Sequence, residues 1–118
     1  MKRRHKLNQL NKTTETAFGL IAKAGEAKSY VFEALDAANS GDFEKANEEI
    51  EKAEVLLTDA HQIQFKLLSE ESNGASDIEV NFIMVHAQDH LMTTILAKEL
   101  MVEIIENKKE IQALKGSK

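Results

Sequence analysis

The segment AANSGDFEKA, residues 37–46, interrupts an otherwise continuous helical pattern. Asn39, Ser40 and Gly41 stop one helix, and Ser40 or Asp42 can cap the next by accepting a hydrogen bond from its first turn. A second interruption is SEESNGASDIE, residues 69–79. There Asn73 and Gly74 end a helix, and Ser76 precedes Glu79 by the spacing of a capping box. The two breaks predict helices over roughly 14–38, 42–71 and 77–114. Short loops between long helices imply an all-α, antiparallel, up-down-up three-helix bundle.

The composition supports that class. With 118 residues the chain holds one domain, spanning 14–114. The basic segment 1–13 reads as a mobile N-terminal arm and residues 115–118 as a flexible tail. Hydrophobic residues make up 42%, enough for a packed core, whereas aromatics are only 5%, so Ala, Leu, Ile, Val and Met must build it. The absence of proline favours long helices over an all-β fold. Cysteine is absent, which excludes disulfides, thiolate zinc sites and a cysteine nucleophile in this chain. No apolar run is long enough for a membrane span, and the N-terminus lacks the apolar stretch of a signal peptide, so a cytoplasmic protein is expected. A net charge of -5 argues against a nucleic-acid partner.

Each predicted helix has its own pattern. The first is rich in small residues, with Gly25 in its middle, where glycine costs ~1 kcal/mol relative to alanine; a packing reason is expected. The second carries one apolar stripe, Phe43, Ala46, Ile50, Ala53, Leu57, Ala60, Gln64 and Leu68. Glu44, Lys45, Glu48, Glu49, Glu51, Lys52 and Glu54 read as its solvated face. The third is apolar on two sides. Phe82, Thr93, Ala97, Leu100 and Ile104 lie within about 40° of His86, and Met84, Leu91, Ile95 and Val102 form the far surface. Two neighbouring helices cover one side only, so self-association is expected to cover the other.

In that third helix VHAQDHLMT, residues 85–93, places polar groups among apolar ones. His86 and His90 are one turn apart and share an arc with Asp89, whereas Gln88 points about 160° away from His86. Three readings suit the cluster. His-x3-His with a carboxylate can chelate a divalent metal. A neutral imidazole can accept a phosphoryl group, because its pKa near neutrality leaves an unprotonated nitrogen. Alternatively the histidines are core residues satisfied by hydrogen bonds, in a noncatalytic helical adaptor whose polar groups fix register. His61, about 40° from Leu57 on the second helix, reads as a core histidine.

The run from Thr16 to Glu106, and above all AGEAKS, GDFEKA, AHQIQ and VHAQDHLMT, resembles the enzyme IIA components of the lactose/cellobiose class of bacterial phosphotransferase systems. The resemblance implies a homotrimer with a coiled-coil-like core. It implies a phosphocarrier that takes a phosphoryl group from HPr and passes it to a cysteine of the cognate IIB component, for disaccharide uptake. It assigns His86 as the residue phosphorylated on Nε2, and Asp89 as the ligand of one Mg2+ ion shared by the three subunits. His90 and Gln88 match supporting residues, Gln88 acting on His86 only from another subunit.

Overall fold

The computed structural model describes residues 2–74 and 79–116, side chains at 2 and 5–10 excepted. Three helices account for almost all of them: α1 (Lys2–Asn39), α2 (Phe43–Ser72) and α3 (Phe82–Gly116). They form a rod of 75 × 22 × 19 Å.

The first junction is tighter than its composition requires. Asp42 N–H donates to the Ala37 carbonyl at 2.9 Å and Gly41 N–H to Ala38 at 3.0 Å, the paired bonds of a Schellman motif. Gly41 supplies the left-handed residue, with φ +79°. Asp42 then caps α2, its Oδ1 accepting from Lys45 N–H at 3.1 Å. Of the two candidate caps, Asp42 is therefore the one used. Ser40, Gly41 and Asp42 thus reverse the chain.

Cross-helix contacts fix the directions. Lys23 pairs with Asp59 at 2.6 Å, and the Lys52 ammonium lies over the Tyr30 ring, so α1 and α2 run antiparallel. Lys98 pairs with Glu54 at 2.6 Å and Gln88 with Gln64, so α2 and α3 run antiparallel. Glu79 N–H donates to Thr13 Oγ1 at 3.0 Å, and Gln112 packs beside Gly41 at the other end, so α1 and α3 are parallel. The up-down-up bundle is as expected. α1 packs closely on both partners, whereas α2 and α3 touch each other much less.

Alanine makes the close packing possible. Ala17, Ala24, Ala27 and Ala34 of α1 and Ala46, Ala53 and Ala60 of α2 are fully buried. Leu20, Val31 and Leu91 fill the remaining space, each fully buried large side chain contributing about 1.5–3 kcal/mol.

Four expectations change. α1 begins at Lys2 rather than near Thr14, so the basic segment read as an arm is helical. Its Lys, Arg, Leu and Gln residues are good helix formers, and buried Thr13 ties it to the bundle. α3 begins at Phe82 rather than Asp77, because Asn81 caps it by accepting from Met84 N–H at 2.9 Å; Ser76 lies outside the described residues. At the other end α3 continues to Gly116, leaving residues 117–118 of the predicted tail outside the description. Finally, Glu49 is buried rather than solvated, at 4% exposure. It faces α1, and one carboxylate oxygen takes the Lys52 ammonium at 3.0 Å. That bond holds Glu49 below the usual glutamate range, while a hydrogen bond shared with Glu49, then burial, pushes Glu33 upward.

Candidate functional site

From its Asn81 cap to Gly116, α3 contains no interior breaker, so its side chains keep strict 100° steps. The helix divides into three arcs. Met84, Ala87, Leu91, Thr94, Met101 and Ile105 are buried against the rest of the bundle. Gln88 points to α2, where Gln64 Nε2 donates to its Oε1 and Gln88 Nε2 contacts the Met84 sulfur at 3.6 Å. The third arc is open: Phe82, Val85, Leu96, Leu100 and Ile104 are all exposed, Phe82 at 87%. Within one chain this apolar surface has no cover. His86 and Asp89 stand in it, both exposed.

His86 and His90 form a stacked pair, ring centroids 6.2 Å apart and planes within 4°. His90 is half-buried, at the seam between α3 and α1. A Cβ on Gly25 of α1 would lie 3.9 Å from its Nε2. The His90 carbonyl accepts from Thr94 Oγ1 at 2.7 Å and from Thr93 Oγ1 at 3.1 Å, which fixes the backbone beneath the ring. The arrangement presents one accessible imidazole, His86, and one half-buried imidazole beside it. An exposed imidazole nitrogen can act as a nucleophile towards a partner that docks on the surface.

The structure brings His86 and His90 together, leaves Asp89 on the same open surface, and turns Gln88 away to Gln64. His61 departs from expectation. It is exposed, bordering a groove between α2 and α3 with Met92, Ile95 and Lys98. The buried arc of α2 ends about 20° beyond Leu57, and His61 at about 40° falls just outside it. Leu68, also expected inside, is 60% exposed and lines an apolar groove of about 340 Å³ with Leu67, Val80, Met84 and Val85. The weak α2–α3 contact leaves both grooves open. Sequence reasoning missed the proximity of Gly25 to His90 and the threonine bonds under it. A mid-helix glycine and two threonines three and four residues after a histidine were the available signals.

Among the described residues, no three His, Cys, Asp or Glu side chains converge on a point where they could hold a metal. His86, Asp89 and His90 therefore do not form a chelate within one chain, which counts against the metal-enzyme reading. A carboxylate oxygen is a chemically suitable donor for Mg2+, but Asp89 is a single one.

An exposed histidine paired with a second one, on an open apolar face of a three-helix bundle, defines a carrier-type site. Comparison with known proteins gives it a family. Residues 15–109 match the PTS system, Lactose/Cellobiose specific IIA subunit family. The chain is 47% identical over 98 residues to the PTS system lactose-specific EIIA component of Lacticaseibacillus casei, covering 80% of this chain and 87% of that one. It is 39% identical over 99 residues to the N,N'-diacetylchitobiose-specific EIIA component of Escherichia coli K12, 84% of each chain. The crystal structure of the cellobiose-specific enzyme IIA of Bacillus anthracis superposes with a TM-score of 0.79 at 37% identity, covering 84% of this chain and 90% of that one. The IIA(Chitobiose)–HPr complex of the Escherichia coli phosphotransferase system, a solution structure, gives 0.71 at 37% identity, with 83% and 94% covered. The chain belongs to the lactose/cellobiose-specific IIA family, whose members are phosphotransferase phosphocarriers. The resemblance read from VHAQDHLMT is thereby established. No helix among the described residues is long and apolar enough to cross a membrane.

Proposed function

We propose that this chain carries a phosphoryl group on His86 between HPr and a IIB component during uptake of a lactose-, cellobiose- or chitobiose-type disaccharide. The observation that carries the reading is the exposed His86 ring, stacked on half-buried His90 and bordered by open apolar surface. The chitobiose relative that forms a complex with HPr supports HPr as the donor.

The chemistry follows from the imidazole. The neutral ring, with its proton on Nδ1, attacks phosphorus through the Nε2 lone pair. A new N–P bond forms, and the bond from phosphorus to the donor breaks with its electron pair returning to HPr. In the second step the thiolate of a IIB cysteine attacks phosphorus, the S–P bond forms, and the N–P electron pair returns to His86. No net proton change is required. Such loose transition states depend on alignment and hydrogen-bond donors more than on covalent machinery, which suits a site with one nucleophile and one half-buried neighbour. His90 supplies a donor beside the transferred group.

Three subunits assembling along the Asp89 side of the open arc of α3, with His86 at its edge, would bury Phe82, Leu96 and Leu100 and bring three copies of Asp89 together. Three carboxylates in a low-dielectric axis repel one another, so a shared Mg2+ or shared protons must intervene. Gln88, held by Gln64 in its own subunit, would support His86 only across a subunit boundary. The assembly works in the cytoplasm, where HPr and phosphoenolpyruvate are supplied.

Intact-mass measurement after incubation with enzyme I, HPr and phosphoenolpyruvate tests the assignment. Wild-type chain gains one phosphoryl group and His86→Gln gains none while keeping its helical content. Phosphoryl uptake by the His86→Gln chain would overturn it.

A further inference from the structure

We infer that Gly25 is a positioning residue for phosphoryl transfer: lacking a side chain, it leaves the Nε2 edge of His90 open to the oxygens of the phosphoryl group on His86. Resting on the acceptor role of His86, this extends the site from α3 onto α1.

Neither of the usual reasons for a glycine applies at position 25. The backbone there is helical, since among the described residues positive φ occurs only at Gly41 and Gly74. Within one chain, close packing is not the reason either. A Cβ at Gly25 would meet nothing nearer than His90 Nε2, and at 3.9 Å that is ordinary van der Waals contact. Alanine therefore fits the fold, and would stabilise α1 by removing the ~1 kcal/mol that a mid-helix glycine costs. What alanine would change is the surface presented to one atom. His90 Nε2 is a polar atom that needs water or a phosphoryl oxygen beside it, and a methyl group in contact excludes either from that side.

The stacked geometry gives that atom its task. The 6.2 Å between the ring centroids is a gap that a phosphoryl group can bridge, bonded to His86 through phosphorus and hydrogen-bonded to His90 through oxygen. The group carries nearly two negative charges and three strong acceptor oxygens, so a donor held in place is worth more to it than one free to move. The Thr94 and Thr93 bonds to the His90 carbonyl hold the backbone beneath that donor, and Gly25 keeps its approach clear.

Gly19 provides an internal control, because it lies in the same helix with nothing within 4 Å of a built Cβ. Gly25→Ala and Gly19→Ala should both fold and both raise the melting temperature. Single-turnover transfer from phosphorylated HPr should slow about tenfold or more in Gly25→Ala and stay at the wild-type rate in Gly19→Ala. In a His90→Ala background, Gly25→Ala should add no further slowing, because the atom it obstructs is gone. Transfer at the wild-type rate in Gly25→Ala, or equal slowing with and without His90, overturns the inference, as does a Gly25→Ala chain that loses its helical content. Failure of the wild-type chain to take up phosphoryl on His86 is a different result, which removes the acceptor role itself.

Discussion

Gln64 of α2 donates its side-chain amide to Gln88 of α3, so the two helices that touch least share a polar link within the core. Gln64 is 8% exposed and Gln88 half-buried, and a buried amide left without its partner is costly. Gln64→Leu should therefore destabilise the fold by about 1–3 kcal/mol, whereas Gln64→Leu with Gln88→Leu should recover most of that loss. Denaturant melts of the two single variants and the double variant test this. A double variant as unstable as the sum of the singles would show that the link contributes nothing as a pair.

His90 should set the rate of transfer and not its capacity. With His90→Ala the chain should still take up one phosphoryl group per subunit, about 10²-fold more slowly, the typical effect of losing one donor to a developing charge. Rapid-quench phosphorylation with phosphorylated HPr measures both quantities. Complete loss of uptake would instead make His90 the acceptor.

The open arc of α3 predicts the response of assembly to charge and to metal. If subunits assemble as proposed, Leu100→Glu should dissociate them in sedimentation velocity, because it places a carboxylate on an apolar position that is 55% exposed in the single chain. Asp89→Leu should preserve or strengthen assembly by removing like charges. If Mg2+ joins the three Asp89 carboxylates, a chelator should lower the melting temperature of the wild-type chain and leave Asp89→Leu unchanged. A monomeric Asp89→Leu chain would make the cation an essential staple.

The Glu33–Glu49 pair predicts a pH dependence with two limbs. Tyr30 and Glu33 face it from α1, and Lys45, Glu49 and Lys52 from α2. Glu49 is held below its ordinary value of 4.5 by Lys52, so its contribution is present above 4.5 and is lost as pH falls through its depressed value. Glu33 is raised above 4.5 by the bond to Glu49, so its contribution is complete below 4.5 and is lost as pH rises through its raised value. At neutral pH one oxygen of Glu49 then has no donor. Glu33→Gln supplies an amide there, and should raise the melting temperature at pH 7 while leaving the acid limb in place. Glu49→Gln should flatten the acid limb. Unchanged melting curves between about pH 3 and 7 in both variants would exclude the pair from the titration.

Much of the bundle was legible because the decisive signals are local. The glycine at 41, the aspartate at 42 and the stripe from Ala46 to Gln64 act through their own turn or their own face. The direction of Gln88 followed from helical geometry alone, and the two apolar sides of α3 from counting residues. What escaped depended on a neighbour. Glu49 looked like a member of a charged run because its environment, the face of α1 bearing Tyr30 and Glu33, lies elsewhere in the chain. His61 sits at the edge of a buried arc, where a step of 20° decides exposure. The Ser76–Glu79 spacing points to an earlier start for α3, whereas the helix begins beyond Asn81, whose side chain accepts from Met84 N–H. At His86, residue pattern alone left phosphoryl transfer and metal chemistry open, and the phosphoryl reading proposed there rests on family likeness.

The division of α3 into arcs has a consequence for how variation should be tolerated along it. Neighbours in sequence answer to different constraints: Ala87 is fully buried, while Val85 is half open to solvent and Gln88 is bonded to Gln64 of α2. Tolerance mapped residue by residue through 82–105 should therefore look irregular, yet resolve into interleaved series when sorted by angle. Thermal robustness, transfer speed and subunit exchange would each rise and fall once per helical turn, out of step with one another.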